Sequence, residues 1–533
     1  MSSAAIGGEA GFAISRNRTM TMMTSRALIK TGGLILGILA VLSPLGQAAD
    51  SSPYNVRTYG AAGDGSALDT AAIQKAVDAC AAGGGGTVRI PAGRYLTGPI
   101  FLRSCIQVEI EPGAVLLGST NFNDYPPIDG RWEGVHHKVY ASMFTGQGLH
   151  DIAIIGRGVL DGQGAVWWAA NRKTMDLRKK MKLKGREPEN PPGSPLRYDR
   201  PRMVNLYNCT NVLIRDLTIQ NSPAWNVHPV YCENVTLDNL TILAPSRSAN
   251  TDGVDPDSCR NVRISNCHID VGDDCIVIKS GYNEDGRRVG IPCENILISN
   301  CTFAHGHGGV AIGSEMSGSV RNVTVVNCVF DGTERGLRVK TALGRGGVVE
   351  YFRASNLIMR NISDAAFSVT ASYGDGHSED GKAVPPEAIP HLRHFYWGDV
   401  SVVNAKKLAD LGGLAVSPLE DLRLYNVQAT GVKAGIRCEN AKDIVLENIT
   451  LQPRSGPAVE ARNVANLEVT GLKVEKPNEG APVLALNDVT PALVRGCIVA
   501  SGPGVFVRIA GDTNAAVALE SNRLGAQVTE RDH

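Results

Sequence analysis

The stretch "NVLIRDLTI" at residues 211–219 is one of five short segments that share a single pattern. Each begins with asparagine and an aliphatic residue, and apolar and polar side chains then alternate. Alternation with a period of two, carried by β-branched residues, predicts a strand with one buried face. The other four segments are "NVTLDNLTI" at 234–242, "NVRISNCHI" at 261–269, "NILISNCTF" at 295–303 and "NVTVVNCVF" at 322–330.

The spacing of these segments indicates stacked turns of chain. They recur at intervals of 23, 27, 34 and 27 residues, and a second series at Asp421, Asp443 and Asn466 recurs at 22 and 23. Constant strand length with variable spacing is expected when loops are inserted between stacked strands. The pattern predicts an all-β chain folded as a single-stranded right-handed parallel β-helix with turns about 4.8 Å apart. A β-propeller needs hairpin signals that are scarce here, and a leucine-rich solenoid needs a leucine spacing that is absent.

The domain organisation follows from the repeat and from the need to close its end. An open end would expose strand edges, and "DTAAIQKAVDACAA" at residues 69–82 predicts an N-terminal capping helix that starts at Asp69. We expect one domain over 50–533, with the cap over about 54–100, catalytic turns over about 200–375 and further turns to the C-terminus.

Residues 1–49 are predicted to be a signal peptide with a possible upstream extension. Arg26 and Lys30 precede the apolar run "LILGILAVL" at 34–42, and "LGQAAD" supplies small residues for cleavage near residue 48. The run is shorter than the roughly 20 residues of a membrane-spanning helix, which disfavours a retained anchor. We therefore expect a secreted or periplasmic protein without stable membrane insertion after cleavage, and translation from an internal methionine would shorten the extension.

Charge and cysteine content exclude several classes of partner. The chain has 53 basic and 53 acidic residues, so no overall field attracts nucleic acid, and none is expected as a partner. The 12 cysteines include no CxxC pair, and nearby histidines lack zinc-ligand spacing, so no metal site is expected. Six cysteines recur at equivalent places such as "NCT" and "NCH", which predicts a structural slot for a small buried side chain.

Charged residues recur at turn-like intervals and predict a stripe on one face of the coil. Asp252 precedes Asp273 by 21 residues, His307 follows Asp273 by 34, and Arg338 follows His307 by 31. Each interval approximates one turn, so these residues should lie on adjacent turns. In "LRVKT" the alternation points Arg338 and Lys340 outward on the same side.

The paired acids in "VGDDCIVIKSG" at 271–281 indicate acid–base chemistry. Asp273 and Asp274 would face opposite sides of a regular strand, but Gly272 permits a bend that turns both into one groove. Crowding beside Asp252 disfavours three charges, so one carboxyl is expected to hold a proton near neutral pH. Glycosidic bond hydrolysis needs a proton donor beside a group that activates water. Each motif alone is typical of a turn or solvated strand, whereas the set in order predicts a catalytic groove.

Four motifs resemble those of glycoside hydrolase family 28, the polygalacturonases. They are "NTD" at 250–252, "GDD" at 272–274, "GHG" at 306–308 and "RVK" at 338–340, and the likeness covers roughly Tyr54 to Tyr373. The resemblance implies a pectin lyase-like β-helix and inverting hydrolysis of α-1,4-galacturonosyl bonds without a cofactor. The partner it implies is a pectic polysaccharide or oligogalacturonide, and we expect a monomer.

The resemblance also implies roles for individual residues. Asp273 would be the general acid, while Asp252 and Asp274 would hold the attacking water. His307 would support the protonation state of the acid. The residues expected to bind the substrate are Arg338 and Lys340 at its carboxylate, Tyr373, and two further candidates that are otherwise solvated charges, Arg345 and Lys279.

Several alternatives remain open at this point. The insertion at 167–201, with "SEMSG" after the GHG motif and "RGG" after RVK, resembles bacterial and exo-acting members, which predicts exo action. Its Trp167 and Trp168 either stack on sugar rings or anchor the insertion. Rhamnogalacturonan and xylogalacturonan hydrolases share the scaffold. A calcium-dependent pectate lyase would use acidic clusters as oxygen ligands, and a non-catalytic polysaccharide-binding β-helix would need no aligned acids.

Overall fold

The computed structural model describes residues 54–183, 189–374, 384–511 and 516–531. The signal peptide expected over 1–49 lies outside these residues. Almost all pairing between strands is parallel, and one sheet contains 32 strands. Within the described ranges, none of the helices combines the length and apolarity required to cross a bilayer.

The N-terminal part closes one end of the coil, as predicted. Helix α1 (Thr70–Ala82) buries one face, formed by Ile73, Ala76, Val77 and Cys80. Asp69 precedes it but does not cap it, because its carboxylate instead accepts hydrogen bonds from the N–H groups of Ala62 and Gly63 at 2.7 and 3.0 Å. The strands of this part are β1 (Tyr54–Asn55), β2 (Asp64–Leu68), β3 (Gly86–Ile90), β4 (Gly93–Thr97), β5 (Ile100–Phe101), β6 (Ile106–Ile110), β7 (Ala114–Gly118), β8 (Pro127–Trp132), β9 (Val135–Tyr140), β10 (Phe144–Gln147), β11 (His150–Ile155) and β12 (Val159–Asp161).

The middle of the chain forms the turns that carry the NTD, GDD, GHG and RVK motifs. Helix α2 (Ala165–Lys180) belongs to the insertion, and the short helix α3 (Asn283–Val289) follows β21. The strands are β13 (Val204–Tyr207), β14 (Thr210–Arg215), β15 (Thr218–Gln220), β16 (Val227–Val230), β17 (Glu233–Asp238), β18 (Thr241–Leu243), β19 (Arg260–Ser265), β20 (His268–Val271), β21 (Ile276–Ile278), β22 (Cys293–Ser299), β23 (Thr302–His305), β24 (Val310–Gly313), β25 (Val320–Asp331), β26 (Leu337–Lys340) and β27 (Val348–Thr370).

Further turns continue to the end of the described chain. Their strands pair in parallel with the turn before and the turn after. They are β28 (His391–Gly412), β29 (Leu419–Thr430), β30 (Ala434–Leu451), β31 (Val459–Thr470), β32 (Lys473–Val474), β33 (Leu484–Val489), β34 (Ala492–Arg495), β35 (Ile498–Val499), β36 (Pro503–Ala510), β37 (Val517–Glu520) and β38 (Ala526–Arg531).

An asparagine ladder explains why each repeat begins with asparagine. Asn211, Asn234, Asn261, Asn295 and Asn322 all have positive φ, between 55° and 60°. Asparagine tolerates this left-handed conformation at a corner better than most residues do. In Asn234, Asn261, Asn295 and Asn322 the side-chain Nδ2 also donates to the side-chain Oδ1 of the asparagine one turn earlier, at 3.0–3.2 Å. The ladder therefore fixes the corner and the register together, and the predicted parallel β-helix is confirmed.

The repeated cysteines fill a buried slot, as predicted. The backbone N–H of Cys209 donates to Sγ of Cys232, and that of Cys232 donates to Sγ of Cys259, both at 3.4 Å. All twelve cysteines are free thiols, and Cys105 alone among them is exposed.

Candidate active site

Parallel pairing brings the motifs to one face of the coil. In the register, Ile276 of β21 lies opposite Val310 of β24, and Val310 lies opposite Leu337 of β26. Val254 bridges to Ile276 in the same column. Asp252 lies two positions before Val254, and Asp274 lies two positions before Ile276. Because Val254 and Ile276 are paired, the two aspartates lie above one another on adjacent turns.

Three carboxylates meet at this face. One oxygen each of Asp252, Asp273 and Asp274 lies within 4.8 Å of the others. Asp274 is fully buried, with Oδ1 3.1 Å from Nη1 of Arg338 and Oδ2 2.6 Å from Nζ of Lys340. The side chain of Asp273 is 19 % exposed, and its Oδ1 lies 3.1 Å from Nδ1 of His307. Asp273 is therefore more open to solvent than Asp252 and Asp274, whose side chains are 6 and 0 % exposed.

Two glycines are required by close approach. A Cβ at Gly308 would lie 2.9 Å from Oδ1 of Asp274, and a Cβ at Gly272 would lie 2.4 Å from the carbonyl oxygen of Ser248. Gly272 does not have positive φ. The expectation that Gly272 is needed for its backbone freedom was therefore wrong. Glycine is needed here because a larger residue would collide with the neighbouring chain at Ser248.

A buried lysine controls the charge around Asp252. Nζ of Lys279 lies 2.9 Å from Oδ1 of Asp255, 3.7 Å from Oδ2 of Asp252 and 4.0 Å from Oε1 of Glu315. Burial, and then the charges of Asp273 and Asp255, hold the pKa of Asp252 well above its usual range. Burial likewise raises the pKa of Asp255 to about 7. One ammonium cannot compensate three buried carboxylates, so protons remain in this cluster near neutral pH.

The Asp273–His307 pair has the opposite electrostatics. Burial alone would raise the pKa of Asp273, but the hydrogen bond and charge of His307 outweigh it and lower that pKa to about 2. The same hydrogen bond raises the pKa of the His307 imidazole. The carboxyl proton expected from the sequence is thus favoured on Asp252, while His307 favours the ionised form of Asp273.

The basic candidates divide into two groups. Arg338 and Lys340 lie under Tyr373, with Cζ and Nζ each 5.4 Å from the centre of its ring. Tyr373 is 37 % exposed, whereas Arg338 and Lys340 beneath it are buried. The guanidinium of Arg345 instead stacks on Tyr282 at 3.8 Å.

Arg345 and Lys279 are both buried and contact other groups of the protein. Nη1 of Arg345 donates to Oδ1 of Asn283 at 2.6 Å. Nζ of Lys279 lies 3.7 Å from the ring centre of Trp225 and is surrounded by carboxylates. A role for either in binding substrate directly remains a prediction.

Sequence reasoning missed a hairpin that covers one side of the site. Strands β8 and β9 pair in antiparallel fashion around Glu133 and Gly134, both with positive φ. Trp132 of the hairpin stacks on Trp225, with ring centres 4.5 Å apart. Trp225 lies two residues before Val227, which bridges to Val254, so it occupies the turn just before Asp252. A glycine two residues after tryptophan was the only local signal, because the usual Asn-Gly turn is absent.

The hairpin is held by a buried ion pair that local sequence does not reveal. Nε of Arg131 lies 3.2 Å from Oδ2 of Asp257, and the two side chains are 0 and 1 % exposed. The Arg131 guanidinium overrides burial and lowers the pKa of Asp257 to about 2. Asp257 is 126 positions from Arg131 in the sequence, so only the coil brings them together.

The tryptophans of the insertion anchor it to the coil. Trp167 is fully buried, with its ring centre 4.3 Å from that of Phe122 and 5.1 Å from that of Tyr125. Nε1 of Trp168 donates to the carbonyl oxygen of Ser222 at 3.1 Å. These contacts favour the anchoring role over sugar stacking.

Comparison with known proteins gives a consistent result. A sequence profile described as glycosyl hydrolases family 28 matches residues 80–449. A probable polygalacturonase of Vitis vinifera is 35 % identical over 382 residues, which cover 69 % of this chain and 72 % of that one. An exo-poly-alpha-D-galacturonosidase of Dickeya chrysanthemi is 31 % identical over 457 residues, covering 75 % of each. The crystal structure of an exopolygalacturonase from Thermotoga maritima aligns with a TM-score of 0.67 at 31 % identity, covering 75 % of this chain and 91 % of that one.

The parallel β-helix and its cluster of carboxylates beside cations define a glycoside hydrolase. The chain belongs to family 28 of the glycosyl hydrolases, which confirms the resemblance found in the sequence.

Proposed function

We propose that the protein hydrolyses α-1,4-galacturonosyl bonds of polygalacturonate and acts from a chain end. The observation that carries the proposal is the carboxylate cluster, with Arg338 and Lys340 ion-paired to Asp274 at 3.1 and 2.6 Å. Every unit of this polymer carries a carboxylate, and a guanidinium beside an ammonium suits that group. The similarity to the probable polygalacturonase of Vitis vinifera and to the exo-poly-alpha-D-galacturonosidase of Dickeya chrysanthemi supports this substrate.

Asp273 is the proposed general acid. Its side chain is the most open of the three carboxylates, and its Oδ1 lies 3.1 Å from Nδ1 of His307. A sugar that covers Asp273 desolvates it, which raises its pKa and favours transfer of the His307 proton onto the carboxylate. Asp273 then protonates the leaving glycosidic oxygen. His307 is in this account the proton reservoir of the acid.

Asp252 and Asp274 are the proposed holders of the attacking water. Both residues are buried, Asp252 at 4 % and Asp274 at 0 % exposure, so neither can reach the anomeric carbon as a nucleophile without a large movement. The held water attacks the anomeric carbon and gives up a proton to the carboxylate of Asp274 as the glycosidic bond breaks, and this attack gives inversion of configuration. The closest oxygens lie within 4.8 Å, nearer than the roughly 6.5–9.5 Å usual between the carboxyl groups of inverting enzymes, so an anomer assay of the first product is an independent test.

The hairpin supports action from a chain end. Trp132 stacks on Trp225, which lies on the turn just before Asp252. Arg131 is ion-paired with Asp257, which follows Asp252 in the same turn. A polymer in the groove would therefore extend from Asp252 towards Arg338 but not in the other direction. The side of the site next to the hairpin would therefore hold only the terminal galacturonate unit of the polymer.

A time course of polygalacturonate digestion with excess chelator tests the proposal. Saturated galacturonate monomer from the earliest time points is the expected result. Mixed oligomers at early times would contradict exo action, and an unsaturated product abolished by chelator would favour the pectate lyase alternative. No cleavage, with cleavage of rhamnogalacturonan or xylogalacturonan instead, would move the proposal to a branched pectin. Binding without cleavage of any of these polymers would favour the non-catalytic alternative.

A calcium-dependent mechanism is disfavoured by the donors themselves. Calcium takes 6–8 oxygen ligands, whereas both oxygens of Asp274 are engaged by Arg338 and Lys340. Lys279 adds a third cation 3.7 Å from Asp252. Asp252 and Asp274 thus already lie beside cations of the chain.

We further propose an exported monomer. The apolar run at 34–42 followed by "LGQAAD" supports export. N-terminal sequencing of the protein recovered from the periplasm or medium should begin near Asp50, and light scattering should give the mass of one chain. An uncleaved N-terminus or twice that mass would contradict these two statements separately.

A further inference from the structure

A second cluster of reactive side chains lies far along the fold from the active site, at a corner of the first turns. Sγ of Cys105 is 3.8 Å from Nδ1 of His150, and Oδ2 of Asp151 is 2.9 Å from the same nitrogen. All three residues are exposed. Among the described residues, this trio and the active-site carboxylates are the two groups that bring three such donor atoms within 4.8 Å of one another.

The trio lies on the two turns that precede the asparagine ladder. Ile106 pairs with Ile152, and Ile152 pairs with Val212, so Cys105, Asp151 and Asn211 occupy the same corner position on successive turns. Cys105 and Asp151 have the same left-handed backbone as the ladder, with φ of 60° and 55°. Cysteine gains nothing from this conformation, unlike asparagine, which makes its presence at an exposed corner unexplained by the fold.

The spacing of the donor atoms suits a tetrahedral cation. Bonds of about 2.0–2.3 Å to sulfur, nitrogen and oxygen place tetrahedral ligand atoms about 3.4–3.6 Å apart. The two separations from Nδ1 of His150, 3.8 Å to Sγ of Cys105 and 2.9 Å to Oδ2 of Asp151, differ from this spacing by about 0.5 Å or less. The three donor atoms all lie within 4.8 Å of one another, so side-chain rotation can close the remaining difference. The Asn211 amide donates to Oδ1 of Asp151 at 2.9 Å and leaves Oδ2 for the cation.

We propose that Cys105, His150 and Asp151 bind one divalent cation of the zinc class. Thiolate with imidazole and carboxylate favours zinc over magnesium or calcium, and the fourth position is open to water. Binding displaces the thiol proton of Cys105 into solvent, so the affinity rises with pH. The ion joins the turn of β6 to the turn of β11 and stabilises the first turns next to the cap. The ligands are 45 residues apart in sequence, which is why spacing rules did not find them.

Titration of the full-length protein with Zn²⁺ and Co²⁺ tests the proposal. We expect one Co²⁺ per chain with a thiolate-to-cobalt charge-transfer band in the near ultraviolet, and a higher Tm with Zn²⁺. Cys105→Asn should abolish the band and weaken Zn²⁺ binding at least about 100-fold, because the thiolate is lost. Asn211→Ala, which removes the hydrogen bond to Asp151, should weaken binding about 10-fold.

The variants are chosen so that the fold survives. Cys105→Asn and Asp151→Asn both place asparagine at a left-handed corner, a conformation that asparagine tolerates. In Asp151→Asn the side-chain oxygen can still accept the hydrogen bond from the side-chain amide of Asn211. His268→Gln changes another exposed histidine and should leave binding unchanged. Release of galacturonate by Cys105→Asn should equal that of the parent, which separates this site from the proposed function. Absence of the band, or a band that persists in Cys105→Asn, would overturn the proposal.

Discussion

Gly308→Ala is a small change aimed at the carboxylate that holds the attacking water. Its Cβ would lie 2.9 Å from Oδ1 of Asp274 and 3.3 Å from Cδ of Arg338. Ordinary contact begins near 3.4 Å, so the carboxylate must move about 0.5 Å. Asp274 cannot rotate away freely, because both of its oxygens are bound by Arg338 and Lys340.

The size of the effect follows from this displacement. A misplacement of about 1 Å at a reacting centre costs on the order of 100-fold in rate, so half of that distance should lower kcat about 10-fold. The side chain added is one methyl group, and the strand pairing of β24 is unaffected, so the melting temperature should change little. The assay is release of reducing ends from polygalacturonate over a range of substrate concentrations, with a thermal melt of the same preparation.

Gly412→Ala is the matched control. A Cβ there meets only the carbonyl oxygen of Val369, at 3.6 Å, and its backbone is not left-handed. This variant should keep the parental kcat. A Gly308→Ala enzyme with unchanged kcat, or an equal loss in both variants, would refute the reasoning that Asp274 must be fixed in position.

Three further predictions concern charge and thiol chemistry. The pKa of Asp255 is about 7 in the folded protein and ordinary in the unfolded chain, so the free energy of unfolding should fall as the pH rises from roughly 4 to 7. Asp255→Asn should make this fall smaller. Urea melts at several pH values that give the same dependence on pH for the variant and the parent would contradict this. Lys340→Met leaves Asp274 buried with Arg338 alone and should cost about 3–5 kcal/mol, read as a lower melting temperature with reduced kcat/KM; a parental melt would count against it. A thiol reagent should label one cysteine per native chain, Cys105, with the rest reacting only after denaturation; several fast-reacting thiols would mean the cysteine slots are open.

The repeats were predictable from sequence because a local rule produced them. Asparagine at a left-handed corner, followed by alternating residues, needs no distant partner to be recognised, and Asn234 and Asn261 illustrate it. The same holds for Arg338 and Lys340, whose shared direction follows from strand alternation.

Features that depend on distant contacts were not predictable. The pair of Arg131 and Asp257 joins an N-terminal hairpin to a central turn, and nothing near either residue announces the other. Which of the three carboxyl groups holds the proton also depends on distant contacts, so it was not predictable from the sequence. Sequence indicated that one carboxyl is protonated. Burial and the charges of Asp273 and Asp255 raise the pKa of Asp252, whereas His307 lowers the pKa of Asp273.

The role of Asp273 as proton donor is tested most directly by Asp273→Asn on two substrates with different leaving groups. Asparagine keeps an oxygen that accepts the N–H of Asp274, now 2.9 Å from Oδ1, so the fold should be intact. Turnover of polygalacturonate should fall by about 10²–10⁴, because the leaving oxygen is no longer protonated. An aryl galacturonide whose leaving group needs no proton should lose far less. Equal losses on both substrates, or an unchanged rate on polygalacturonate, would contradict the account.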